Sequence, residues 1–310
     1  MNGNKRKNTA EQFYTLPRVA LDFTTEVVGI YGKDAIYLEP CGGRGAFVDA
    51  LLGLGVPAAN VVSFDIEPLH PHVAKLNFLE DEVSVPPGFI ALTNPPYGRA
   101  CSLASKFFNR CADLDAKAMA FLIPSSFHKV AISDRLDLGY EMRSFRKAPL
   151  VSYYTDANGT NERGRLSTEF QIWERSRQKR LKRKYMRHPW IEFVTWGEVR
   201  QGASYDFCIR THGSGCGQVL GKEHDGSLRR ESGSGESHLN FRTVAFVRAT
   251  HPDAVRVLGS MDYTRFSNAV SYIPCISPAE ISILLAEVTG VPCVISRKSD
   301  EDELDFEEDA

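Results

Sequence analysis

The sequence predicts an α/β fold built on a largely parallel sheet. Three observations carry this reading. Short apolar strands alternate with helical stretches through the first half of the chain. The first of these strands, Ala35–Leu38, runs through a glycine-rich turn into a helix, the opening unit of a Rossmann-like nucleotide fold. Two later strands, Val61–Phe64 and Phe89–Leu92, stop at a carboxylate and at a stiff proline loop. Ligands of such sheets lie outside the carboxyl ends of the strands. Glu39, Asp65 and Asn94 all stand there in this reading.

A chain of 310 residues accommodates one large α/β domain and an appended part. Its 43% hydrophobic and 25% charged residues are those of an ordinary soluble protein. No run reaches the apolar length that spans a bilayer. Residues 1–10 are polar and basic and do not read as a signal peptide; they are expected to be disordered, and the protein cytoplasmic. The seven cysteines are scattered without zinc-ribbon spacing, so they read as reduced thiols, with no metal. The net charge of −2 hides an asymmetry between a basic run and an acidic end.

In chain order, Pro17 suits the first turn of a helix over 17–31. The turn after the first strand, Glu39 to Phe47, has neither dinucleotide nor P-loop spacing, and a helix follows it through Leu52. Glu39 would repel a pyrophosphate and attract the amino group of a methionine-like ligand. Gly43 and Gly45 would let backbone approach a ligand closely. Asp65, with Ile66, Glu67 and Pro68, ends the second strand, where a carboxylate can hold both ribose hydroxyls or simply cap the loop.

The strand from Phe89 stops at Thr93 and Asn94, and two prolines follow. Each fixes its own φ and removes a donor, and Pro95 pushes Asn94 out of the helical region. Tyr97 adds a flat ring, and Gly98 releases the chain. Stiff acceptors beside an aromatic face suit a planar amino group held against a ring. A helix over 102–111 and a strand over 118–123 come next.

Asn94, Pro95, Pro96 and Tyr97 resemble the catalytic signature of methyltransferases that act on amino nitrogens. The whole arrangement resembles the bacterial and phage adenine-N6 DNA methyltransferases that use S-adenosylmethionine, with cofactor motifs first and target recognition last. Gln12, Phe13, Tyr14 and Thr15 resemble the cofactor-clamping motif, Glu39 to Phe47 the glycine loop, and Phe64 to Pro68 the ribose motif. Residues 120–127 and 170–173 resemble late strands of that catalytic domain. Asp206, Phe207 and Arg210, and Ser237 with His238, are weaker echoes.

The resemblance implies a class I methyltransferase fold with a mostly parallel seven-stranded sheet, helices on both faces, and a smaller α+β C-terminal region. It implies a catalytic domain over residues 11–175 and S-adenosylmethionine as cofactor. Phe13, Tyr14 and Thr15 would clamp the cofactor; Glu39, Cys41, Gly43 and Gly45 would form its loop; Asp65 and Ile66 would meet its ribose and base. Asn77, where the family usually has Asp, would accept from the cofactor adenine beside Phe78. Arg44 is bulkier than the family's usual small residue. Asn94 and the Pro95 carbonyl would accept from the target amino group, and Tyr97 would stack on the base.

Residues 176–298 read as a basic linker and an α+β target-recognition region, with a strand over 244–247 and a helix over 278–288. Arg175, Arg177, Lys179, Arg180, Lys182, Arg183, Lys184 and Arg187 form a run without acids. It reads as a polyanion contact, against the bland alternative of a solvated helix. Tyr185 and Trp190 could add stacking, and the Gly/Ser-rich stretch 211–240 reads as loops. Residues 299–310 read as a disordered acidic tail that competes for the basic run.

The expected activity is methyl transfer to adenine N6 in DNA, with base flipping, in a bacterial cell or phage-infected host. RNA adenine, cytosine N4 and protein amides remain as alternative substrates, as does an inactive nucleic-acid-binding protein. The oligomeric state, monomer or dimer, stays open.

Overall fold

The structure is a computed structural model, and it describes residues 13–149, 151–154, 162–164, 167–221, 243–267 and 273–296. The expected disordered start at 1–10, the acidic tail at 299–310, and Gln12, Ser237 and His238 lie outside these residues.

Seven strands form the main sheet: β1 (Tyr37–Glu39), β2 (Val61–Asp65), β3 (Ala74–Lys75), β4 (Ile90–Thr93), β5 (Ala118–Pro124), β6 (Tyr140–Lys147) and β7 (Thr168–Arg175). Their spatial order is β3-β2-β1-β4-β5-β7-β6. The strands β1 to β5 pair in parallel, and β7 runs antiparallel to both its neighbours. This is the mostly parallel seven-stranded sheet that the sequence predicts. The strand order reverses between β1 and β4, which opens a crevice at their carboxyl ends.

Alternation along the strands divides the core between the two faces. Ile90 and Leu92 of β4, with Ala118, Ala120 and Leu122 of β5, pack under helices α1 (Pro17–Tyr31) and α2 (Ala46–Gly53). Phe89 and Ala91, with Met119, Phe121 and Ile123, pack under α3 (Ser102–Asp113). Both faces are covered, so these strands read as unbroken apolar runs. On the first face Phe23 of α1 stacks on Phe170 of β7, with ring centroids 4.2 Å apart.

A smaller antiparallel sheet lies beside this crevice. Tyr14 and Thr15 pair with Tyr154 and Tyr153 of the strand Val151–Tyr154. This pairing fixes the chain that enters α1, and it matters for the site described below.

The chain divides into two compact units, which meet in sequence at Leu181 and Lys182. The short segment His128–Ala131 belongs with the second unit. There Lys129 Nζ lies 2.6 Å from Glu280 Oε2, and the Val130 amide donates to Glu280 Oε1. The second unit holds an antiparallel sheet of β8 (Ile191–Val194), β9 (Phe207–Arg210), β10 (Val219–Gly221) and β11 (Val244–Ala249), ordered β8-β11-β9-β10. Helix α4 (Pro278–Thr289) begins at a Ser277–Glu280 capping box. Its Ile281 and Leu285 share a core with Ile209 and Val247. No helix among the described residues is long and apolar enough to cross a membrane.

Candidate active site

The carboxyl ends of β1, β2 and β4 open into one cavity of about 410 Å³. Its wall includes Phe13, Tyr14, Thr15, Glu39, Cys41, Gly43, Asp65, Ile66, Asn77, Phe78, Asn94, Pro95 and Pro96. The sheet therefore gathers residues that lie far apart in the chain. Two of the expected residues, Gly45 and Tyr97, are not on this wall.

Glu39 ends β1 and is 2% exposed. Its Oε1 accepts from the Thr93 hydroxyl and from the Cys41 amide at 3.2 Å. Cys41 Sγ lies 2.8 Å from the Thr93 oxygen, so a thiol proton given to Thr93 leaves the hydroxyl proton for Glu39. Burial outweighs these donors and pushes the Glu39 carboxyl up to about 8. Among the described residues no cation pairs with it. A carboxylate held this way favours a cationic ligand, whose charge stabilises the ionised form. Burial also pushes the Cys41 thiol far up, so its role is packing and hydrogen bonding, not nucleophilic attack.

Asp65 ends β2 and clasps the glycine loop. Its Oδ2 accepts from the Gly43 amide and its Oδ1 from the Glu67 amide, both at 2.8 Å. It caps the loop and lines the cavity together, and each oxygen keeps further acceptor capacity. Gly43 has φ of 47°, and a Cβ there would fall 3.2 Å from the Tyr14 ring. Gly45 has another task than the expected one. It starts α2 at φ of 80°, and a Cβ would fall 2.4 Å from the His70 ring, so it makes room for His70.

Asn77 is committed to its own turn. Its Nδ2 donates to Glu80 at 2.8 Å, and its Oδ1 accepts from the Leu79 amide at 3.2 Å. Phe78 is buried and stacks on Phe107 at 5.6 Å, which leaves an apolar wall beside the exposed Ile66.

Asn94 follows β4 and is held at both ends of its amide. Nδ2 donates to the Phe13 carbonyl at 2.8 Å, and Oδ1 accepts from the Tyr97 hydroxyl at 2.9 Å. The ring of Tyr97 is buried, with the Phe13 ring stacked on it at 5.9 Å and 20°. The expected base-stacking face of Tyr97 is thus covered by Phe13, and its hydroxyl serves Asn94. The hydroxyl also lies 2.9 Å from that of Tyr153. Tyr153 was not legible as a site residue, because only the pairing of Tyr14–Thr15 with the Val151–Tyr154 strand brings it here.

The basic run is not a helix: Arg175 ends β7, and the chain is then irregular up to a single turn at Arg183–Tyr185. Its charges have different tasks. Arg175 pairs with Asp115 at 2.6 Å and donates to the Tyr140 hydroxyl. Arg180 donates to the carbonyls of Tyr140, Ser133 and Asp137 and lies over Trp173. Arg187 donates to the Lys184 and Met186 carbonyls, and burial lowers its pKa. These three are spent largely on the protein. Arg183 is half-buried, whereas Arg177, Lys179, Lys182 and Lys184 are exposed. Among the described residues no three His, Cys, Asp or Glu side chains gather as a metal site.

No protein family matches the chain, and no curated protein does. Among solved structures, it is similar to a protein described as an RNA methyltransferase from Pyrococcus horikoshii, at 14% identity, over 57% of this chain and 93% of that one, with a TM-score of 0.43. It is similar to one described as a class I S-adenosylmethionine-dependent methyltransferase from Listeria monocytogenes, at 12% identity over 57% and 66% of the chains, with a TM-score of 0.42. A third is the modification subunit of a type I restriction enzyme from Vibrio vulnificus, at 13% identity over 55% and 46%, with a TM-score of 0.39.

Proposed function

We propose that the protein is an S-adenosylmethionine-dependent methyltransferase that acts on the N6 amino group of adenine in DNA. The observation that carries this is the placement of Asn94. Its amide is keyed at both ends, at the carboxyl edge of the sheet, on the wall of the cavity that Glu39 and Asp65 also line.

The residues of the cavity fit the cofactor. Glu39 is a buried acid that no cation among the described residues pairs with, and it would hold the α-ammonium group. A Cβ at Gly43 would crowd the Tyr14 ring, and the glycine would bring backbone against the ligand. Asp65 would accept from the ribose hydroxyls, with Ile66 and Phe78 against the adenine and Asn77 at its edge. When bound, S-adenosylmethionine supplies an electron-poor methyl group on a sulfonium.

The chain's own residues prepare the amino nitrogen. An adenine amino lone pair is delocalised into its ring and is a poor nucleophile. Asn94 Oδ1 and the Pro95 carbonyl accept the two amino hydrogens. They draw the nitrogen towards tetrahedral geometry and aim its lone pair. Pro96 carries no N–H, so it cannot compete for those acceptors. Asn94 is neutral and holds the amino protons without removing one. Stacking of a base on Tyr97 requires Phe13 to move aside. The exposed cations Arg177, Lys179, Lys182 and Lys184 suit a phosphate backbone and favour nucleic acid over a protein substrate.

The test is to express the protein in a host lacking adenine methylation, digest its nucleic acids and weigh the nucleosides. N6-methyladenine in DNA is expected, and it should vanish with Asn94→Ala. N4-methylcytosine would move the reading to the other base, and methyl groups confined to RNA would move it to the other polymer. Cofactor binding with no methylated product would leave a binding protein.

A further inference from the structure

Three oxygens stand in a row behind the cavity. The Tyr97 hydroxyl is placed to donate both to the Tyr153 hydroxyl and to Asn94 Oδ1, each 2.9 Å away. A phenol has one proton to donate. If Tyr97 gave its proton to Tyr153, two oxygens without a proton between them would face each other at Asn94. The order that satisfies all three runs from Tyr153 to Tyr97 to Asn94. At its other end the Asn94 amide donates to the Phe13 carbonyl. Turning the amide over would set its oxygen against that carbonyl and its NH2 against the Tyr97 donor.

We propose that Tyr153 is a positioning residue of the methyl-transfer site: through Tyr97 it fixes the orientation of the Asn94 amide. Oδ1 then keeps its remaining acceptor capacity for the substrate amino group, a step that rests on the reading of Asn94 given above. Tyr153 is 2% exposed, and burial pushes its phenol up to about 12, so it keeps its proton at working pH. Its strand also fixes the other anchor. Tyr153 and Tyr154 pair with Thr15 and Tyr14, and the residue before that pair is Phe13, whose carbonyl takes the Asn94 NH2. One antiparallel pairing therefore delivers both constraints on the amide.

The experiment uses the full chain. Tyr153→Phe keeps the ring and removes only the hydroxyl. Turnover should fall about tenfold, the worth of one hydrogen bond, with the KM for S-adenosylmethionine unchanged. Tyr97→Phe should lose at least as much. The double variant should be no worse than Tyr97→Phe alone, because Tyr153 acts only through Tyr97. A second readout does not depend on the reaction. In protein with isotope-labelled asparagine, the Asn94 side-chain amide resonance, assigned by its loss in Asn94→Ala, should shift alike in both tyrosine variants. Additive losses in the double variant, or an unmoved resonance in Tyr153→Phe, would overturn the relay. If the wild-type protein methylates nothing, the functional reading fails, and the amide resonance still decides whether the relay exists.

Discussion

Thr93 and Glu39 end two adjacent parallel strands, and the Thr93 hydroxyl donates to the Glu39 carboxylate. Both side chains are buried, Thr93 fully. The pair sits where the strand order reverses, so the crevice between β1 and β4 has an acid at its floor.

Glu39 should make both stability and ligand affinity depend on pH. Its folded carboxyl is raised from 4.5 to about 8. Below the ordinary value both folded and unfolded forms hold the proton, and the contribution to stability is complete. Between the two values only the folded form holds it, so stability falls as pH rises and the contribution is gone above about 8. The melting temperature of the ligand-free protein should drop across this window, and less so for Glu39→Gln. Affinity for S-adenosylmethionine should move the other way, rising with pH as Glu39 ionises, until the ligand's own ammonium begins to lose its proton at about pH 8. In the Gln variant it should be weak and flat. Calorimetry between about pH 6 and 9 checks both trends. A wild-type affinity that does not change with pH would remove Glu39 as the ammonium partner.

Asn94→Ala should separate turnover from binding. Losing a preorganised group at the reacting centre costs on the order of 10²–10³ in rate. Affinity for S-adenosylmethionine should change by only a few fold, since Glu39 and Asp65 are untouched. Single-turnover rates beside calorimetric affinities test this. Equal losses in both would mean that Asn94 shapes the cavity and not the reaction.

Much of this site is legible in the sequence because its parts lie at strand ends. Glu39, Asp65 and Asn94 each follow a short apolar run, and parallel pairing of those runs brings the ends together. Strand β6 was less visible. It is an edge strand, and its exposed Glu141 and Arg143 with half-buried Arg146 make it look polar. Tyr153 and the Phe13 carbonyl were invisible as site groups for another reason. Their contacts with Asn94 and Tyr97 cross long stretches of chain, and no local pattern encodes them. The basic run showed its charge but not its partners. Whether an arginine faces solvent or a carbonyl, as Arg180 does, depends on tertiary packing.

The two loop glycines should fail differently. Gly43→Ala places a methyl group against the Tyr14 ring at the cavity wall, so it should weaken cofactor affinity about tenfold or more. Gly45→Ala meets the His70 ring away from the wall, at a φ of 80° that disfavours any side chain. It should lower stability by roughly 1–3 kcal/mol and leave affinity nearly unchanged in the protein that remains folded. Thermal melts and calorimetry on both variants decide. A Gly45→Ala protein of normal stability and poor affinity would return Gly45 to the ligand.

The basic run should split into two classes of variant. Arg180 holds three carbonyls and covers Trp173, so Arg180→Ala should cost roughly 1–2 kcal/mol of stability, since two part-buried acceptors lose their donor. The slope of DNA affinity against salt should stay as in the wild type, because no phosphate contact is lost. Replacing the exposed Arg177, Lys179 and Lys182 together with Ala should do the reverse. Melting temperature should hold, while affinity falls and the logarithmic salt slope shrinks by about one for each phosphate contact removed. The acidic stretch 299–310, outside the described residues, enters the same titration. If it competes for these cations, deleting it should tighten DNA binding, most at low salt, because exposed charge pairs are individually worth about 0–1 kcal/mol and are screened. Unchanged affinity across the titration would leave the stretch without a part in DNA binding. A salt slope that shrinks for Arg180→Ala as much as for the triple variant would mean that Arg180 leaves its carbonyls to meet the phosphates.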